Sequence, residues 1–167
     1  MEKSHKKQVI VVCTGNICRS PMAAGLLAHH LPGDVGPAIE VASAGINALQ
    51  GYPAQDHAVE IMARIGVDIS GHRARQLTRE MARSADLILA MEMAHLWFIQ
   101  RWEEIQREKL HLLLEFDPKA KSRQVADPYG GPLSGYQTCL ETLRPAVAGI
   151  VHALHSMVRQ RSCSGNT

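Results

Sequence analysis

Four short apolar runs, separated by longer amphipathic stretches, limit this chain to a small set of folds. Residues 8–12, 39–44, 86–90 and 110–114 are rich in Val, Ile or Leu and too short for packed helices, so they read as buried strands. Between them, residues 21–31 place Met22, Leu26, Leu27 and Leu31 on one side, and residues 54–65 do the same with Ala58, Ile61, Met62 and Ile65. That three- and four-residue spacing belongs to helices with one buried face. Residues 93–108 form a third such stretch through Leu96, Ile99 and Ile105. The last, residues 133–158, carries Tyr136, Leu140, Leu143, Val147, Ile150, Leu154 and Val158 on one stripe, with Pro145 inside it expected to kink or split the helix. Strands alternating with helices predict an α/β domain on a mainly parallel sheet, and 167 residues suffice for one such core.

In parallel sheets ligands sit beyond the carboxyl ends of strands, which directs attention to the end of the first run. Residues 13–21 read Cys-Thr-Gly-Asn-Ile-Cys-Arg-Ser-Pro. Gly15 and Asn16 tolerate left-handed backbone, so the loop can bend its N–H groups inward as an anion nest. Ser20 is the expected N-cap of the following helix and Pro21 its first residue, which aims a helix N-terminus at the same place. Thr14, Gly15, Asn16, Ile17, Cys18, Arg19 and Ser20 are therefore candidate phosphate-binding residues.

Arg19, six positions after Cys13, can grip two phosphate oxygens while staying charged. Cys13 on the cradle floor would feel amides, helix dipole and guanidinium, all of which favour its thiolate, so it is a candidate nucleophile. Ser20 can donate its hydroxyl to that sulfur. Of the four cysteines only Cys13 has an arginine six residues on; the equivalent positions after Cys18 and Cys139 are Ala24 and Pro145. Cys13 and Cys18 lack the second pair of ligands that a zinc site needs, so no metal is expected.

The segment from Cys13 to Pro21 resembles the signature loop of the low-molecular-weight protein tyrosine phosphatases. The similarity runs over residues 9–154 and includes Ser43-Ala44-Gly45, Ser70-Gly71-His72 before a short helix, and Asp127-Pro128-Tyr129-Gly130. It implies a single three-layer domain over residues 1–167, with a four-stranded parallel sheet flanked by helices and flexible tails at 1–7 and 161–167. It also implies hydrolysis of phosphotyrosine through a phosphocysteine, without metal or organic cofactor. By the same resemblance Asp127 is the general acid, although an Asp-Pro pair taken alone reads as a turn. Tyr129 becomes the aromatic wall for a substrate ring. Leu49 becomes the opposite rim, where some relatives carry Trp and bacterial exopolysaccharide-associated members are similar in having Leu. Asn16, Ser20, Ser43 and His72 match a hydrogen-bond network that holds the loop. Cys18 is implied to form a reversible disulfide with Cys13 that protects the nucleophile. Gly130 and Ala24 depart from the family's pattern, where a second aromatic and an acidic residue are common.

Two related activities share the loop. Thioredoxin-linked arsenate reductases need further cysteines near the third strand, and residues 79–93 contain none. Protein arginine phosphatases have a similar acid loop, but their cradle tends to carry Thr where Ile17 stands and Phe where Tyr129 stands. A non-catalytic phosphate-binding module would be expected to lack one of Cys13, Arg19, Ser20 and Asp127. The formal net charge of +2 gives no reason to expect nucleic acid or a membrane surface as partner. No apolar stretch approaches the ~18 residues of a membrane span. The expected setting is cytoplasmic, the partner a phosphotyrosine protein such as a bacterial tyrosine autokinase, and the state a monomer or weak dimer. His29, His30, His152 and His155 read as solvated helix positions.

Overall fold

The first strand decides the layering, because its side chains alternate between two apolar surroundings. Val9, Val11 and Cys13 enter one core with Met22, Leu26, Ile61, Met62, Leu140 and Val147. Ile10 and Val12 enter a second with Ala82, Ile88, Leu96, Ile99 and Leu112. The computed structural model describes residues 6–164. In order they form β1 (Lys7–Cys13), α1 (Arg19–His30), β2 (Ile39–Gly45), α2 (Asp56–Ala63), α3 (Arg79–Ser84), β3 (Leu87–Ala90), α4 (Met93–Gln100), β4 (Leu110–Leu112) and α5 (Leu133–Ser164). The sheet runs β2-β1-β3-β4 and every pairing is parallel. Helices α1, α2 and α5 cover one face, α3 and α4 the other, so the expected three-layer α/β domain is what the chain forms. The chain leaves β1 toward β2 on one side and crosses to β3 on the other. The topological switch point, and with it the crevice, falls between the carboxyl ends of β1 and β3.

Several boundaries differ from the periodicity reading. Leu113 and Leu114 leave the sheet for a 3-10 turn, Leu113–Phe116, yet stay buried. The reason is the ladder: β4 pairs only opposite Ile88, Leu89 and Ala90, and no β3 residue follows to hold Leu113. Asp86 precedes β3, its carboxylate accepting from the Gln8 amide at 2.9 Å and pairing with Lys7 at 2.5 Å. Helix α4 stops at Gln100, and Ile105 reaches the core through a turn in which Trp102 donates to the Ile99 carbonyl. Pro145 does not split α5, which is one helix of 32 residues. Leu143, Ala146, Val147 and Ile150 around it are fully buried, and that packing outweighs one missing hydrogen bond. The short helix expected after His72 is α3, capped by the Thr78 hydroxyl, which accepts from the Met81 amide at 3.2 Å.

Of the two expected flexible tails, Lys7 already belongs to β1 and α5 continues to Ser164. Residues 1–5 and 165–167, and the Cys163 side chain, lie outside the described residues. No helix among the described residues is long and apolar enough to cross a membrane.

Candidate active site

The loop between β1 and α1 is shaped by where its carbonyls go. Ile46, Asn47, Leu49 and Gln55 donate their backbone N–H groups to the carbonyls of Cys13, Thr14, Gly15 and Ile17 at 2.8–3.1 Å. The Asn16 carbonyl accepts from His72 Nε2 at 2.7 Å, and that of Cys18 accepts from the Met22 amide at 3.1 Å. In a planar trans peptide the N–H points opposite to the C=O. Tying six successive carbonyls outward therefore turns the amides of residues 14–19 toward the concave side, the arrangement that suits a tetrahedral anion. Gly45 lets the neighbouring strand come this close: a Cβ there would lie 2.4 Å from the Thr14 carbonyl oxygen.

One left-handed residue makes the bend, and it is Asn16 (φ 57°), not Gly15. Its side chain explains the choice. The Asn16 amide donates to Ser20 Oγ at 2.8 Å and Ser43 Oγ at 2.9 Å, and its carbonyl oxygen accepts from the Arg75 backbone N–H at 2.9 Å. Asn16 is wholly buried, so these bonds offset a conformation that is unfavourable for an L-residue by roughly 1–2 kcal/mol. Because Ser20 Oγ already accepts from Asn16, its own proton is directed to Cys13 Sγ, 2.9 Å away. Ser20 is thus not the expected N-cap. Helix α1 begins at Arg19 with Cys18 in the capping position and no side-chain cap, the Ser20 hydroxyl being turned to the sulfur instead. Asn16, Ser20, Ser43 and His72, taken from the sequence as one network, lie together, and Arg75 joins them. Burial lowers the His72 pKa, and its neighbours Arg75 and Arg73 act in the same direction.

Arg19 is buried to 2 % exposure at the start of α1. Its guanidinium donates to the Glu92 carboxylate, donates to the Val125 carbonyl at 2.9 Å, and sits 3.3 Å from Asp127 Oδ2. Asp127 comes from the connection between β4 and α5, where its other oxygen accepts from the Tyr129 amide at 3.1 Å. Cys13, Thr14, Gly15, Ile17, Cys18, Arg19, Asn47, Leu49, Asp127 and Tyr129 line one cavity of about 260 Å³. Leu49 and Tyr129 stand at its mouth, 42 % and 60 % exposed.

Cys18 is buried with its sulfur 3.5 Å from the Tyr136 hydroxyl. Burial pushes its thiol up to about 11 and that of Cys139 up to about 12, and raises Tyr136 as well. Cys13, Cys18 and Cys139 are all free thiols.

Sequence reasoning missed Glu92, His95, Arg75 and Tyr136. Glu92 follows the carboxyl end of β3, the partner of β1 at the switch point, and that rule was the available signal. His95 touches the loop through Thr14 Oγ1, 2.9 Å from its Nε2, and its Nδ1 accepts from the Glu92 amide at 3.1 Å. Arg75 and Tyr136 carry no local signature, since their partners are 59 and 118 positions away.

A loop that closes on a cysteine and an arginine six residues apart, at the switch point of a parallel sheet with a carboxylate across it, is the architecture of the cysteine-based phosphatases. Within that class the chain belongs to the low molecular weight phosphotyrosine protein phosphatase family, which it matches over residues 8–160. It is 42% identical over 151 residues to a probable low molecular weight protein-tyrosine-phosphatase, EpsP, of Ralstonia nicotianae, covering 90% of this chain and 98% of that one. Among solved structures, the YwlE arginine phosphatase of Geobacillus stearothermophilus superimposes with a TM-score of 0.80 at 33% identity, over 92% of this chain and 96% of that one. The low molecular weight protein tyrosine phosphatase of T. tengcongensis has the same TM-score at 36% identity, over 89% and 99%.

Proposed function

We propose that this chain hydrolyses protein phosphotyrosine in two steps. The Cys13 thiolate attacks phosphorus while Asp127 protonates the departing tyrosine oxygen, and a phosphocysteine forms. Arg19 and the amides of residues 14–19 hold the three equatorial oxygens, whose charge is redistributed in the transition state. The Asp127 carboxylate then takes a proton from the water that attacks the phosphocysteine, and the Ser20 hydroxyl stabilises the returning thiolate. The single observation that carries this reading is the placement of Cys13, with Ser20 at 2.9 Å, in the cleft where Arg19 meets Asp127 at 3.3 Å.

Phosphoarginine is the second reading, favoured by the likeness to YwlE. Ile17 argues against it, because the side chain of this buried, cleft-lining residue is wholly apolar and has no group to hydrogen-bond a guanidinium or its water. Phosphate release from phosphotyrosine and phosphoarginine peptides, without added metal, separates the two. Turnover of phosphotyrosine is expected; a preference for phosphoarginine would transfer the assignment, and silence toward both would leave a binding site.

The aliphatic Leu49 rim supports a partner of the bacterial exopolysaccharide type, a tyrosine autokinase in the cytoplasm. Incubating the purified chain with such a kinase should remove phosphate from its tyrosine cluster. A cluster that stays phosphorylated would sink that partner while leaving the chemistry intact.

A further inference from the structure

The mechanism above leaves two residues unused although both bear on the phosphate loop. Glu92 and His95 form a reciprocal capping box at the start of α4, the Glu92 carboxylate accepting from the His95 amide and the His95 ring accepting from the Glu92 amide. The same carboxylate holds Arg19, and the same ring meets Thr14 Oγ1 at 2.9 Å. One helix cap therefore touches the second and seventh residues of the loop, on the side away from Asn16, Ser43 and His72.

The protons on this chain of contacts can be assigned. A backbone N–H only donates, so His95 Nδ1 must carry a lone pair, and the neutral ring then has its proton on Nε2. Nε2–H donates to Thr14 Oγ1 and occupies one of its lone pairs, so the hydroxyl proton must go elsewhere. Thr14 lines the cleft, where a bound phosphoryl group would present its oxygens. We propose that His95 is a positioning residue that fixes the Thr14 hydroxyl as a hydrogen-bond donor to a phosphoryl oxygen in the transition state. The neutral ring this requires agrees with its burial: His95 is 1 % exposed, and desolvation, aided by the Arg19 charge, lowers it to about 4. The inference rests on the phosphatase reading of the site.

Its test has two arms. Nitrogen NMR of the His95 ring in the wild-type protein should show Nε2 protonated and Nδ1 bare, and the opposite tautomer overturns the proposal whether or not the protein turns over phosphotyrosine. Thr14→Val removes only the hydroxyl at an exposed position. It should weaken orthovanadate binding and lower kcat on a phosphotyrosine peptide, each by about ten- to hundredfold, with KM little changed. His95→Leu should cost a similar factor alone and far less in the Thr14→Val background, while His95→Gln, whose Nε2 can still donate to Thr14, should retain most of the rate. Additive losses in the double variant, or a Thr14→Val protein with unaltered kcat and vanadate affinity, overturn it. Should His95→Leu fail to fold, the ring tautomer and Thr14→Val still decide. A wild type inert toward phosphotyrosine but binding vanadate in the Thr14-dependent way would separate failure of the assigned reaction from failure of this inference.

Discussion

The phosphate loop and the acid loop meet where Arg19 faces Asp127, yet they are held by different means. The phosphate loop, buried from Asn16 to Ser20, is clamped from both flanks: six carbonyls are tied outward, Asn16 is locked by four polar groups, and Arg19 is anchored to Glu92 and Val125. The acid loop is fastened at its root, where the buried Val125 donates its N–H to the Met91 carbonyl at 2.9 Å. Beyond that its contact with Arg19 is the ion pair of Asp127 at 3.3 Å, its hydrogen bonds are short-range, Tyr129 N–H to Asp127 and Gly131 N–H to the Pro128 carbonyl, and the Asp127 side chain is 47 % exposed. In the proposed mechanism the nucleophile and the oxyanion donors must be in place before substrate arrives, whereas the acid has to reach a leaving group that changes position during the reaction. Rigidity on one side and freedom on the other suit those two tasks.

The contrast can be broken most severely at the two reacting groups. Cys13→Ser should reduce turnover of phosphotyrosine peptide by ~10⁴-fold or more, since it removes the proposed nucleophile. Asp127→Ala should cost about 10²–10⁴-fold on the same peptide, and much less on an aryl phosphate whose phenol is already acidic. Its carboxylate is half exposed and Arg19 keeps Glu92 as a partner, so losing the 3.3 Å ion pair should change the unfolding free energy by no more than about 1 kcal/mol. Equal losses on both substrates would remove Asp127 from its role as acid.

A pair of glycines sharpens the comparison. Gly45→Ala forces a methyl to within 2.4 Å of the Thr14 carbonyl and must displace the phosphate loop, so it should lower both stability, by about 1–3 kcal/mol, and activity. Gly130→Ala meets nothing within 4 Å and carries only the strain of its φ of 76°, about 1–2 kcal/mol, with the cradle and its vanadate affinity unaltered. Denaturant melts and vanadate titrations of both variants check this, and matching behaviour would mean that the two loops are not built differently.

The pH response should also divide along this line. The folded protein holds His95 at about 4, below the ~6.5 of an unfolded chain, and His72 is lowered as well. Between these values the unfolded state binds more protons. The contribution of His95 is therefore complete above about 6.5 and fades as pH falls toward 4. Melting temperatures of wild type should decline over that interval, and His95→Gln should flatten part of the decline; identical slopes would remove His95 as a cause.

The smallest effect is expected at Cys18. Peroxide should convert Cys13 to a sulfenic acid that condenses with the Cys18 thiol, releasing water, and added thiol should restore activity. Cys18→Ser should keep the initial rate within about twofold but lose the recovery. Equal recovery in both proteins would dispose of the disulfide. The high thiol pKa of Cys18 predicts that the condensation is slow compared with that of an exposed thiolate.

Much of this molecule is legible from short stretches of chain, because the physics there is local. Short apolar runs announced the strands, spacings of three to four residues announced the helices, and a cysteine, an arginine and the residues between them announced the anion cradle within a single turn of backbone. Resemblance supplied Asp127, Tyr129, Leu49, Ser43 and His72, which spacing alone would not have joined to Cys13. Local rules failed where a side chain found a better partner at a distance. Ser20, read both as a cap and as a donor to the sulfur, serves only the sulfur; of Gly15 and Asn16, both able to make the bend, only Asn16 does; and Pro145 looked like a kink or break in a helix that burial keeps whole. Glu92 and His95 were invisible to period and motif because their importance comes from β3 lying beside β1, a pairing of residues nearly eighty positions apart. Hydrogen bonds and ion pairs act over a few ångströms of space, and only the closed fold turns that sequence distance into contact.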